Sequence, residues 1–208
     1  MSAQRGMGLV RREYSAGAVK HLFWFMEFRK VVQYLYDGKS LEDIKEMNQS
    51  ENIFGCSTIE RSKEIFKTVS ARISSLDGSF YPVFIRGDLA TQKLFALVSV
   101  MAYDTLFFDL VYEVVREQFI LGTNELHDRD IRIFFYSKQQ QSDRAAKWTE
   151  ATVKKLTTCY KSMLYEAGMT DKAREKRKIY RPILEREMEQ WLIDHGLRIM
   201  INALTGVQ

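Results

Sequence analysis

Asp88–Leu121 reads DLATQKLFALVSVMAYDTLFFDLVYEVVREQFIL, the longest apolar run in the chain, and its reading decides the fold. A membrane-spanning helix needs roughly 20 apolar residues with few or no charges. Here Asp104, Asp109 and Glu113 fall inside the run, and a carboxylate at bilayer depth costs several kcal/mol. The stretch therefore reads as two helices broken near Tyr103–Asp104, with Asp104 capping the second. Leu94, Leu97, Val98 and Met101 line the first. Leu106, Leu110, Val114 and Phe119 line the second, and Phe107, Val111 and Val115 widen that stripe almost all round. Helices of this kind are buried in soluble cores. The expectation is an apolar hairpin at residues 88–127, at the centre of an all-α, cytoplasmic protein with no membrane anchor.

Only two prolines and 11 glycines in 208 residues leave the flanking helices largely unbroken. The net charge of +4 conceals a pattern. Residues 88–130 carry 3 Lys/Arg against 8 Asp/Glu, whereas residues 131–182 carry 13 against 5. Residues 1–87 are mildly basic, with 13 against 10. Positive charge gathered into two blocks around an acidic centre suggests a surface that faces a polyanion, although a solvated face produces the same pattern.

Upstream of the hairpin, residues 1–13 are polar and basic (Arg5, Arg11, Arg12) and are expected to be mobile, with no secretory signal. Ser15 would cap a helix over Ala16–Tyr36, ended by Asp37–Gly38. Ser40 and Asp43 form a capping pair for a short helix over Leu41–Met47. Ser57-Thr58-Ile59-Glu60 then reads as a capping box opening a longer helix, with Ile59, Phe66, Val69, Ile73 and Leu76 inward. Short helix, turn and long helix is helix-turn-helix grammar, and every helical bundle contains such pairs too. The outward residues of this N-terminal region (1–87) would be Thr58, Arg61, Lys63, Lys67 and Arg72. Asp77–Gly87 reads as a turn and an extended connection.

Downstream, Asp128 or Asp130 would cap a helix carrying Ile131, Phe134, Phe135 and Tyr136. Thr149 would cap another that runs to Ala167 and ends on Gly168, with Trp148 as a hydrophobic staple. Val153, Leu156, Tyr160, Met163 and Leu164 face inward. Thr152, Lys154, Lys155, Thr158 and Lys161 face outward, in the manner of a recognition helix. Lys172, Arg174, Lys176, Arg177, Lys178 and Arg181 follow as a basic run suited to gripping phosphate as a wing or arm. A flexible solvated loop is the plainer alternative. Pro182 would open a last pair of helices, the first over Ile183–His195. The C-terminal unit is thus a helix-turn-helix or winged-helix-like region at 128–208.

Chemistry that would make this an enzyme does not emerge. His21, His127 and His195 stand apart, Cys56 and Cys159 make a poor disulfide framework, and no phosphate loop or nucleophile motif occurs. No cofactor, metal or small-molecule substrate is expected.

Several stretches carry a family resemblance. They are Tyr14-Ser15-Ala16-Gly17, Gly38–Ile44, Asn52-Ile53-Phe54, Ala71-Arg72-Ile73, Tyr103-Asp104 and Phe108-Asp109. Trp148-Thr149 with Thr152 and Lys155-Leu156, Glu166-Ala167-Gly168, Arg181-Pro182 and Ala203–Gly206 continue them. Together they resemble the BrxA family of BREX bacteriophage-exclusion operons, whose members are often labelled inner-membrane proteins. The resemblance implies an all-helical fold partly like the NusB antitermination factor, double-stranded DNA binding, and an accessory role in phage defence alongside other BREX proteins. One departure stands out: the nearest acid in the first helix is Glu27, set among Phe23, Trp24 and Phe25. A protein–protein adaptor with basic docking faces, or a NusB-like RNA-binding factor, are the rival readings.

Overall fold

Asp104 does break the apolar run. Its backbone is extended, and its Oδ1 accepts from the backbone N–H groups of Leu106 and Phe107, which would otherwise be left open at a helix start. Helix α5 (Leu89–Tyr103) ends there and α6 (Thr105–Leu110) begins, continuing through a π-helical turn, Val111–Val115, into α7 (Arg116–Leu121). The chain turns through 112° at the break. Among the described residues no single helix is long and apolar enough to cross a membrane. Both arms are instead sunk in protein, with Phe95, Leu97, Met101, Leu106, Phe107 and Leu110 fully buried.

The computed structural model describes residues 9–207. Before the elbow lie a 3-10 turn (Gly17–Lys20), α1 (Phe25–Tyr36), α2 (Leu41–Glu51), α3 (Ile59–Ile73) and α4 (Phe80–Arg86). After it come strand β1 (Glu125–His127), α8 (Asp128–Gln141), α9 (Asp143–Ala146), α10 (Glu150–Glu166), β2 (Lys176–Lys178), α11 (Arg186–Asp194) and α12 (Arg198–Thr205). The protein is mostly helical, and its one described sheet is the antiparallel pair β1–β2. The last helices return to the first ones. Trp191 of α11 packs edge-on to Phe80 and Phe95, which adjoin Phe28 and Phe84 in an aromatic cluster tying α1, α4, α5 and α11 together.

Four expectations need correcting. The helix foreseen from Ala16 is interrupted: Trp24 takes a left-handed backbone (φ 52°), and α1 starts only at Phe25. Arg72 explains the break, because its Nη1 donates to the carbonyls of Leu22 and Phe23, which a continuous helix would have used internally. The stretch read as extended before the hairpin contains α4. Pro82 is its third residue, in the first turn where no N–H partner is needed, and Phe80 and Phe84 share one buried face. Helix α11 begins at Arg186 and not after Pro182. The basic N-terminal segment is also pinned from Arg11 onward, whereas residues 1–8 lie outside the described residues. Arg11 makes a two-pronged pair with Asp109 (2.9 and 2.7 Å), Tyr14 Oη donates to the same carboxylate, and Arg144 reaches back to Glu13.

Candidate nucleic-acid interface

The basic block is organised around α10. Thr149 Oγ1 accepts from the N–H of Thr152 at the start of the helix. At its other end Gly168 adopts φ +82°, and Met169 N–H donates to Leu164 O, which closes the helix and aims the chain away. The chain then runs out and back. Tyr180 N–H donates to Met169 O, Asp171 N–H to Lys178 O, and Thr170 bridges Ile179. The returning strand β2 pairs on its other edge with β1, placing Leu126 opposite Arg177. The local order is thus strand, helix, short helix, long helix, hairpin.

Two residues expected on the outward face turn out to be the fastenings of this unit. Lys161 is only 8% exposed. Its Nζ donates to Asp128 at the start of α8 and to the carbonyl of Arg174, so it joins α8, α10 and the hairpin. A lone buried ammonium would cost several kcal/mol, which is why it sits inside and paired. Arg177 returns the contact: its guanidinium donates to Lys161 O (2.6 Å) and Ala173 O (2.8 Å). Burial pulls the Arg177 guanidinium below its usual value.

The remaining expected residues divide cleanly. Lys154, Lys155 and Thr158 are exposed on one side of α10, with Thr152 half-buried at its first turn. Lys172, Arg174, Lys176 and Lys178 are exposed along the hairpin. Lys172 lies over the Tyr165 ring near the end of α10. Lys176 is partly neutralised by Glu125 (2.7 Å). Lys154, Lys155, Lys172 and Lys178 have no ion-pair partner among the described residues. Arg181 belongs to the scaffold in part, since its Nη2 donates to Phe119 O.

The earlier unit, α2–α3, is less open. Ser40 and Asp43 form the expected capping box, while Thr58, one residue later than the box in sequence implied, caps α3 through Arg61 N–H. Arg61 is paired with Glu64 (2.8 Å) and lies over Trp24. Lys63 and Lys67 are exposed. Arg72, read as outward, is only 3% exposed and holds the Leu22–Phe23 break described above.

Sequence reasoning missed the groove between α8, α10 and the hairpin, whose volume is about 860 Å3. Arg132 and Tyr136, one turn apart on α8, line it with Trp148, Lys154 and Arg174. Tyr136 was expected on the buried face and is 67% exposed. The available signal was the spacing of Arg132 and Tyr136 opposite buried Ile131 and Phe135. Among the described residues no cluster of His, Cys, Asp and Glu could hold a metal ion, and both cysteines are free.

Fold and surface define a mostly helical protein with exposed cations on α10 and on the hairpin that follows it. The BrxA family matches residues 12–196, and the chain belongs to that family. It is 37% identical over 182 residues to the "BREX protein BrxA" of Bacillus cereus, covering 88% of this chain and 91% of that protein. It also resembles in fold the crystal structure of an uncharacterised protein from Magnetospirillum magneticum. There the TM-score is 0.78 at 16% identity, covering 94% of this chain and all of that one.

Proposed function

We propose that this accessory protein of a BREX phage-defence system is a non-catalytic binder of double-stranded DNA. The unit built from β1, α8–α10 and the hairpin would do the binding. One observation carries the reading: exposed Lys154 and Arg174 line the groove between α8, α10 and the hairpin, whose two sides are fastened by the buried Lys161 and by Arg177, and Lys155, Lys172 and Lys178 add exposed cations on the same elements. A helix, a short helix and a long helix followed by a hairpin suit a winged helix-turn-helix reading. In such a unit the long helix enters the major groove and the hairpin lies against phosphate. Lys154, Lys155 and Thr158 would then meet base edges and nearby phosphates. Lys172, Arg174 and Lys178 would hold the flanking backbone, and Lys63 and Lys67 would make at most a secondary contact.

Anisotropy titrations on duplex DNA, single-stranded DNA and RNA across a salt series test this. Tightest binding to duplex, with a steep salt dependence, is the expected result. Preference for RNA would favour the NusB-like alternative. A protein adaptor that docks other BREX proteins is favoured by Ile183, which stands 93% exposed just beyond the hairpin. Failure to bind any nucleic acid at low salt would make that reading the better one.

A further inference from the structure

Away from the basic face, the elbow at Asp104 encloses a cavity of about 130 Å3. At ~30 Å3 per water, that is room for about four waters or one small polyatomic ion. Its walls come from three distant stretches, the segment from Arg12 to His21, Arg72, and the segment from Val100 to Thr105. The same stretches supply Tyr14–Gly17, Ala71–Ile73 and Tyr103–Asp104, which were singled out in the sequence and which the DNA face leaves unused.

The cavity is short of free anionic acceptors: its one imidazole, His21, is held below its usual value by burial and by the Arg72 charge. Arg72 lines it while 3% exposed, and its Nε has no hydrogen-bond partner. Its Nη1 is spent on two neutral carbonyls, Leu22 O and Phe23 O, each at 2.9 Å. No carboxylate among the described residues pairs with it. Asp104 is close, but its Oδ1 serves Leu106 and Phe107 and its Oδ2 takes the Tyr160 hydroxyl. Glu13 is held by Arg144. Arg12 stands exposed with its guanidinium over Tyr103 (4.8 Å), bringing a second cation to the cavity, and Ser15 accepts from Gly17 N–H with its own proton still to give. A buried guanidinium with no carboxylate hydrogen-bonded to it is costly. In keeping with this, burial lowers Arg72 to about 10.

We propose that this cavity is a binding site for a tetrahedral oxyanion of the phosphate class. The ion would be received by the Nη2 edge of the Arg72 guanidinium, which has no hydrogen bond among the described residues, by the Arg12 guanidinium and by the Ser15 hydroxyl. Such an ion supplies several acceptors at once to donors that lack them, and the two guanidinium groups provide charge-assisted bonds. The ion is either free phosphate or the phosphoryl group of a nucleotide whose remainder stays outside.

The test uses the full chain without DNA, titrated calorimetrically with inorganic phosphate or with AMP at matched ionic strength. One saturable site is expected for at least one probe. Binding of phosphate alone identifies a free ion, and binding of AMP identifies a nucleotide phosphoryl group. Arg12→Ala, which removes only an exposed side chain, should weaken binding about tenfold or more, the equivalent of one charge-assisted bond. Arg72→Lys should abolish it. If that variant does not fold, Ser15→Ala with Arg12→Ala carries the test. Lys154→Ala/Lys155→Ala should bind the probe unchanged. Absence of saturable binding overturns the proposal. So does binding lost in the Lys154/Lys155 variant but kept in Arg12→Ala, which would assign the ion to the basic face.

Discussion

The four unpaired lysines of the α10–hairpin face permit a quantitative test. Lys154→Ala/Lys155→Ala strips the helix, and Lys172→Ala/Lys178→Ala strips the hairpin. On duplex DNA each phosphate contact contributes a log–log salt slope of about −0.9, so losing two flattens the slope by about 1.8. Between about 50 and about 200 mM salt, wild type should then lose about twelvefold more affinity than either variant. The hairpin variant should weaken all sequences alike. The helix variant should also lose sequence preference, because the first turns of a recognition helix reach base edges. Lys176→Ala should change the slope less, since Glu125 already neutralises that ammonium. Lys39→Ala, far from α10 in the chain and exposed, is the control. Exposed substitutions of this kind move stability by ~0.5 kcal/mol or less, so binding is read on folded protein. If both double variants bind duplex with wild-type affinity and slope, this face is not the DNA surface.

Other perturbations probe the scaffold. Lys161→Met leaves Asp128 and the Arg174 carbonyl without their donor, and should cost about 2–3 kcal/mol in urea unfolding; an unchanged midpoint would show that the fastening is dispensable. Asp109→Ala should cost about 3–5 kcal/mol, because Arg11, Tyr14 and buried Lys138 all turn on that carboxylate, whereas Arg11→Ala, half in solvent, should cost about 1 kcal/mol. Burial raises Asp104 above its ordinary value of 3.8, outweighing the hydrogen bonds it accepts. Ionisation therefore favours the unfolded chain, and this penalty is absent below 3.8 and grows as pH rises toward the raised value. Asp104→Asn keeps an oxygen for Leu106 and Phe107, so its stability relative to wild type should rise as the pH climbs above 3.8; a relative loss as the pH rises would reverse the sign assigned here. Gly168→Ala meets no neighbour, but at φ +82° it should cost about 1 kcal/mol of backbone strain by thermal melting.

Features set by nearest neighbours were legible in the sequence. Asp104, Ser40 and Thr149 cap helices because the donors they satisfy lie two or three residues away, and Gly168 ends α10 through its own backbone. What the sequence hid was decided across the fold. Arg72 and Lys161 have outward-looking helical spacing, yet they are buried because carbonyls and carboxylates from other elements wait for them. The left-handed turn at Trp24 needs Arg72, 48 residues on, to take up the carbonyls it frees. Helix α4 was obscured by Pro82, whose place in a first turn cannot be known without knowing where the turn starts. The candidate face was legible in its charges, but not in the division between cations that reach solvent and cations that fasten the hairpin.

The clamp on the N-terminal segment sets a timetable for the nascent chain. Arg11 emerges 98 residues ahead of Asp109, and Glu13 precedes Arg144 by 131. Until those partners are made, the segment has no seat, and Asp109 and Lys138 remain without their covering partners. Closing so long a loop costs entropy that grows only logarithmically with its length, so the delay lies in waiting and search more than in energy. Arg11, Glu13 and Tyr14 are therefore among the last of the described residues to settle. A bulky group fused just ahead of Arg11 would bear on that late docking.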